Sequence, residues 1–417
     1  MSSGLTADEI AAALDRTAPV LVLRRSRWPF QHGVLAAARS LGRADVPVYA
    51  QQSINQEPAA CSRYLRRQPP PQDGRLDDDW ALALMRLPDA LDGALLVAVD
   101  DRAAIALADH QDELRKRFRL ARQPSGLQRR LASKRELWRL CSELGVPTPR
   151  CTFPRSQAEL LALAREHGYP VVVKRAEPWL PAADPTAPSV AIAHNPYELQ
   201  RAWARMESPI APQVMLQDHI PGEPDSVWMF NGYFAADGRC LCAFTGRKLR
   251  QCGDGTGPTS LGLAAWNPDV AAAAKRLMGA LGYRGIVDMG FRFDCRDGTY
   301  RLLDVNPRLG STFRLFTAAN GLDVLRAQHL DLTGRHVPAT AHPDGRTWID
   351  ERGDLAAAGR LLRQGRLRAA DWLESLRGVD ECAWWAADDP LPFAAMAARL
   401  GVHTVGRLVA ARRRSRR

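Results

Sequence analysis

Short apolar runs alternate with amphipathic stretches through the first 130 residues. Pro19–Leu23 (PVLVL) is apolar at every position, which predicts a buried strand. A Gln31-His32-Gly33 turn follows, then an apolar-periodic helix ending near Gly42 and a second strand at Val46–Tyr49. Strand, glycine-bearing turn, helix and strand in that order predict a βαβ unit of a parallel sheet. Leu95–Val99 is a further buried strand ending in Asp100-Asp101, and 102–120 reads as charged helix. Between them, 69–79 (PPPQDGRLDDD) reads as a turn-rich loop.

The pattern then changes. Ser133-Lys134-Arg135-Glu136 reads as a capping box. Behind it Leu137, Leu140, Cys141 and Leu144 share a helical face that Gly145 stops. Tyr169–Lys174 (YPVVVK) is a strand ending in a lysine, and Asn195-Pro196 opens another helix. From Val214 the reading is antiparallel, with strands at 214–220, 226–235 and 239–248. A helix from Asn267-Pro268 runs to about Gly282. Strands 286–294 and 299–306 flank an Arg296-Asp297-Gly298 turn, and 334–417 reads as mostly helical.

Composition narrows the classes. With 417 residues, 46% apolar and 25% charged, the chain suits two or three folded domains, not a disordered one. The net charge is +11, but only five of the 57 basic residues are lysines. An arginine bias that general reads as compositional background. Five of the arginines crowd into the last six residues, and no basic patch with interleaved aromatics stands elsewhere, so no nucleic-acid partner is expected. Eight cysteines form no CxxC pair, and nine histidines form no HxxxH or HExxH cluster. Zinc ribbons, dithiol redox chemistry and zinc hydrolysis are therefore unsupported. No apolar run is long enough for a transmembrane segment, so a cytoplasmic protein is expected.

The sharpest chemistry lies in Leu302–Arg308 (LLDVNPR). Alternation puts Asp304 and Asn306 on one strand face. A carboxylate and an amide oxygen there suit Mg²⁺, and Arg308 presents a fork suited to phosphate or carboxylate. On the hairpin partner, Asp288, Gly290, Arg292 and Asp294 share a face, with Asp294 beside the turn reading as a solvated position. Lys174 ends its strand, Lys134 sits in a helical first turn, and Lys248 precedes Arg250 and a glycine-rich stretch, 252–258. That stretch reads as a substrate-covering loop or a long turn.

Together, Lys134 with its "LGVPTP" helix end, "YPVVVK", "VMLQDHIPG" and "LLDVNPR" resemble the ATP-grasp superfamily over about residues 19–330. The likeness is to carboxylate–amine ligases related to D-aspartate ligase and the carbamoyl-phosphate synthase large chain. It implies an α/β (α+β) ATP-grasp fold in four parts. These are a Rossmann-like pre-ATP-grasp domain (1–130), a small subdomain (131–210), a central antiparallel subdomain (211–333) and a helical C-terminal extension (334–417). It implies Lys134 and Lys174 on ATP phosphates, and Gln217, Asp218, His219 and Ile220 as the hinge that reads adenine through backbone groups. Asp225 takes the ribose or metal side, Asp304 and Asn306 hold Mg²⁺, with Mn²⁺ as the alternative, and Arg308 faces the transferred phosphoryl group. Lys248 and Arg250 line the phosphate and substrate side. The second metal acid falls near Arg292 without a gap, or on Gly290 or Asp288 with a longer hairpin, and Asp288 is the acidic candidate.

The chain departs from the family in 175–188, which is proline-rich and lacks glycine, so phosphate cover must come from another backbone arrangement. Ser311, Thr312, Arg314 and the loop 252–260 are candidate linings for the acceptor. The implied function is amide formation between a small-molecule carboxylate and an amine through an acyl phosphate, with release of ADP and phosphate. The alternative is an ATP-binding module without ligase activity. A homodimer is compatible with either.

Overall fold

Val20–Leu23 (β1) is buried at all four positions, as a strand covered on both faces must be. It pairs in parallel with Val48–Ala50 (β2) and Leu95–Ala98 (β4), while β2 pairs with Leu65–Arg67 (β3), giving the order β3-β2-β1-β4. Val20 and Val22 pack into one apolar cluster, Leu21 and Leu23 into another on the opposite face. The helix Gly33–Gly42 makes the crossover between β1 and β2. This computed structural model describes residues 5–26, 28, 30–50, 57–67, 80–184 and 186–401. The turn-rich stretch 69–79 and the C-terminal arginines lie outside them.

A second sheet is small and antiparallel. Cys151–Thr152 (β5), Val171–Arg175 (β6), Val190–Ala193 (β7) and Val214–Asp218 (β8) run in the order β5-β8-β6-β7. Helices Gln157–His167 and Pro196–Met206 cover one face through Leu160, Ala164, Leu199 and Met206. The sequence reading places strand 214–220 in the central antiparallel part that starts at 211. Val214–Asp218 pairs with β6 in the small sheet.

The third sheet has seven strands. They are Val227–Phe234 (β9), Cys240–Gln251 (β10), Thr259–Ala264 (β11), Gly285–Asp294 (β12), Thr299–Asn306 (β13), Thr347–Ile349 (β14) and Glu381–Cys382 (β15). Their order is β13-β12-β9-β10-β11-β14-β15. The helix Pro268–Ala280 packs Val270, Ala274 and Leu277 onto it. The extension after 334 is thus not simply helical. Besides the helices Glu351–Arg363 and Ala369–Ser375, it supplies two short strands that cover the edge of β11.

Two further expectations change. Ser133 Oγ accepts from the Glu136 N–H at 3.3 Å, but the Glu136 carboxylate turns to Arg139, so the box is half formed. Asp294 is not solvated: it is fully buried beneath Arg296 and Arg301, and these guanidiniums hold its carboxyl well below the usual range.

Candidate active site

The hairpin β12–β13 carries the acids. Antiparallel register sets Asp288 opposite Asn306 and Gly290 opposite Asp304. Asp288 also lies opposite Asn231 of β9. A row across three strands results: Asn231 Nδ2 donates to Asp288 Oδ1 at 2.9 Å, and Asn306 Nδ2 donates to Asp288 Oδ2 at 3.3 Å. Pro307 follows the end of β13, and Arg308 folds back so that Nη2 donates to Asn306 Oδ1 at 3.1 Å. Its Nε donates at 3.2 Å to Asp101, in the helix Asp101–Asp109 after β4, and Nη1 stands 3.8 Å from Asp288. The first sheet thereby aims Arg308 at the hairpin.

Cations face these acids. Lys174, on β6 and 5% exposed, donates from Nζ to the Leu303 carbonyl at 3.4 Å. Lys248, on β10, donates to the Gly257 carbonyl at 2.8 Å. Lys134 is the first residue of helix Lys134–Glu143, and its N–H donates to Ala176 O just after β6 at 2.8 Å.

Charge balance follows from burial and neighbours. Burial, with Lys134 nearby, lowers the Lys174 ammonium to about 8, partly offset by Asp304. Burial also lowers Lys248. Asp288 is pushed up to about 6, chiefly by burial. Burial pushes Asp304 the same way, but Lys134, Lys174, Lys248 and Arg308 together hold it below the ordinary carboxylate value. Asp304 is therefore the firmly ionised acid and Asp288 the poised one.

Lys174, Lys248, Asp288, Asp304, Asn306 and Arg308 border a cavity of about 330 Å³ between the small and large sheets, within the range of small-ligand sites, and Lys134 stands outside its lining. Gln217, His219 and Ile220 line one end, Ser311 and Thr312 another stretch, and Gly255–Pro258 a third side. Arg308 also borders a smaller cavity of about 70 Å³ against the first sheet.

Several sequence candidates sit elsewhere. Asp218 alternates to the outer face of β8, where it pairs with His167 and Arg150. Asp225 lies 3.8 Å from Arg247 with its side chain 56% exposed, outside the cavity lining. Arg250 points away. Its guanidinium binds Asp354 at 2.8 and 3.1 Å and Ser375 Oγ at 2.8 Å. A register shift between Lys248 and Arg250 reverses the strand's alternation, so Gln251 joins Lys248 at the cavity. Arg314 is likewise engaged, with Asp323 and Glu381, and does not line the cavity. Asn231, Asp101 and Gln251 were missed. An asparagine inside the apolar strand VWMFNGYF was the available signal for Asn231.

The oxygen donors suit a small hard cation. Asn231 Oδ1 is buried without a hydrogen-bond partner beside Asp288. Glycines leave the carboxylates room: a Cβ on Gly290 would lie 2.6 Å from Asp304 Oδ1, and one on Gly310 2.7 Å from Asp288 Oδ2. Among the described residues there is no group of three or more His, Cys, Asp or Glu that could hold a metal; two carboxylates with an amide oxygen would suit a Mg²⁺ that keeps several waters.

A parallel sheet, a small antiparallel sheet and a large one, with paired carboxylates opposite lysines between the last two, give the chain the ATP-grasp fold. No protein-family model matches it. It is 25% identical over 256 residues to D-aspartate ligase of Enterococcus faecium, covering 59% of this chain and 60% of that one. It is 26% identical over 193 residues to the N-terminal section of the carbamoyl phosphate synthase large chain of Methanopyrus kandleri, covering 44% of this chain and 32% of that one. The chain thus spans less than two thirds of the length of these relatives. An ADP complex of N5-carboxyaminoimidazole ribonucleotide synthetase superposes with a TM-score of 0.61 at 12% identity, covering 87% of this chain and 86% of that one. Among the described residues, no helix is long and apolar enough to cross a membrane.

Proposed function

We propose that the protein is an ATP-dependent carboxylate–amine ligase acting through an acyl phosphate. The observation that carries this reading is one cavity in which Asp288, Asp304 and Asn306 face Lys174, Lys248 and Arg308, with Gln217, His219 and Ile220 at one end. A carboxylate resists amine attack because two anionic oxygens shield its carbon. Transfer of the γ-phosphoryl group of ATP to a carboxylate oxygen releases ADP and leaves a carbon with a good leaving group. The amine lone pair then forms the C–N bond, the C–O bond to phosphate breaks, and inorganic phosphate and a proton depart.

The chain's residues would work by positioning and charge. Gln217, His219 and Ile220 would border the adenine, Lys134 and Lys174 the phosphates, and Lys248 and Arg308 the transferred group. Asp304, Asp288 and Asn306 would hold Mg²⁺, which neutralises charge between phosphate oxygens when bound. No protein nucleophile is required.

The test is ADP release with purified protein, MgATP and paired amino acids or other small carboxylates and amines, with mass analysis of products. Substrate-dependent ADP and an amide product are expected. MgATP binding without ADP release across the panel would leave only a binding module.

A further inference from the structure

β10 and β11 are joined by a glycine-rich loop, Cys252–Pro258, that reaches across the cavity. Gly255 stands so close to Ile192 of β7 that a Cβ would lie 2.6 Å from its Cδ1. The loop therefore closes from the large sheet onto the small one. Lys248 holds its Gly257 carbonyl from inside. Its backbone tolerates only glycine at key points. Gly255 and Gly257 have φ of +67° and +112°, and a Cβ on Gly253 would lie 2.1 Å from Thr256 O.

From outside, the loop is held by the helix Glu351–Arg363 and the turn that follows it. Arg360 Nη1 and Nη2 donate to the Cys252 and Gly253 carbonyls, both at 2.9 Å. Arg366 binds Asp254 at 3.2 Å and lies 3.5 Å from Glu223, in the turn after the hinge strand. The helix itself is anchored by Asp354, 1% exposed, which accepts from Arg250, Ser260 and Trp372.

We propose that Arg360 is a positioning residue that orders this loop as the phosphate cover of the cavity, supplying what the glycine-free segment 175–188 does not. A guanidinium bridging two successive carbonyls fixes two peptide planes, and so the sense of the N–H groups that follow them. Rows of backbone N–H groups are how glycine loops hold phosphate. The C-terminal segment is then part of the nucleotide site without touching nucleotide. This inference rests on the ATP reading above.

The test uses Arg360→Ala and Arg360→Lys in the full chain, with folding checked by circular dichroism. Amide exchange of the 252–258 peptide is followed by mass spectrometry, and MgADP affinity by calorimetry. Arg360→Ala should speed exchange in this peptide alone and weaken MgADP about tenfold or more, with Arg360→Lys intermediate. Unchanged loop exchange overturns the clamp. Faster exchange with unchanged MgADP affinity overturns its role in phosphate cover. Failure of the wild-type protein to bind MgADP sinks the ATP reading instead, while loop exchange still judges the clamp.

Discussion

Asp288 and Asn306 face each other across β12 and β13, and the Asn306 amide donates to the Asp288 carboxylate at 3.3 Å. The pairing leaves Asp304 facing Gly290, with no side chain between it and the cavity. Asp304 should therefore be the least replaceable acid. Asp304→Ala is expected to lower substrate-dependent ADP formation at least about 100-fold, with the fold retained by circular dichroism. Full turnover in this variant would refute the proposed ligase mechanism.

Lys174 predicts a pH limb. Burial brings it to about 8 from an ordinary 10.5, so above pH 8 it sheds the proton that a phosphate would want. MgADP affinity, measured by calorimetry from pH 7 to 9.5, should fall through this window, while Lys174→Arg should flatten it. The free protein should respond with the opposite sign. Between about 8 and 10.5 the unfolded chain holds the extra proton, so this group's contribution to stability rises with pH.

Arg250 and Asp354 form a buried ion pair, with side-chain exposures of 9% and 1%. Arg250→Ala strands the Asp354 carboxylate and is expected to cost about 3–5 kcal/mol of stability in denaturant unfolding. The double change Arg250→Met with Asp354→Leu should recover part of it. Loss of turnover without loss of stability in Arg250→Ala would instead place Arg250 in the chemistry.

Asp225 stands at the surface, 3.8 Å from Arg247. Asp225→Ala should leave the KM for ATP within about twofold of wild type in steady-state assays. A larger rise would bring Asp225 to the ribose in the bound state.

What was legible in the chain was local. The alternation of Asp304 and Asn306 before Pro307, and a lysine closing the apolar run of β6, follow from period-two geometry that any strand obeys. The row Asn231–Asp288–Asn306 depends on which strands pair, and residues far apart in sequence carry no local mark of that. The bulge after Lys248 reverses the side chains beyond it, so Arg250, which the resemblance implies at the phosphate and substrate side, turns instead to Asp354. β14 and β15 are three and two residues long, too short for a periodic signal, and are recruited by the open edge of β11.

The first sheet is also tied to the far end of the described chain. Arg39, buried in the helix after β1, binds Asp389 and the Trp384 carbonyl, and Ser62 binds Asp389 at 2.7 Å. Arg39 and Asp389 are 350 positions apart. On a ribosome moving at about 5–20 residues per second, the Arg39 guanidinium waits roughly 20–70 s for its acid. The first sheet thus emerges with a charged, unfinished face, and cannot complete that face until Asp389 has been made. Synthesis order makes the segment around Asp389 the closing step of assembly for the first sheet.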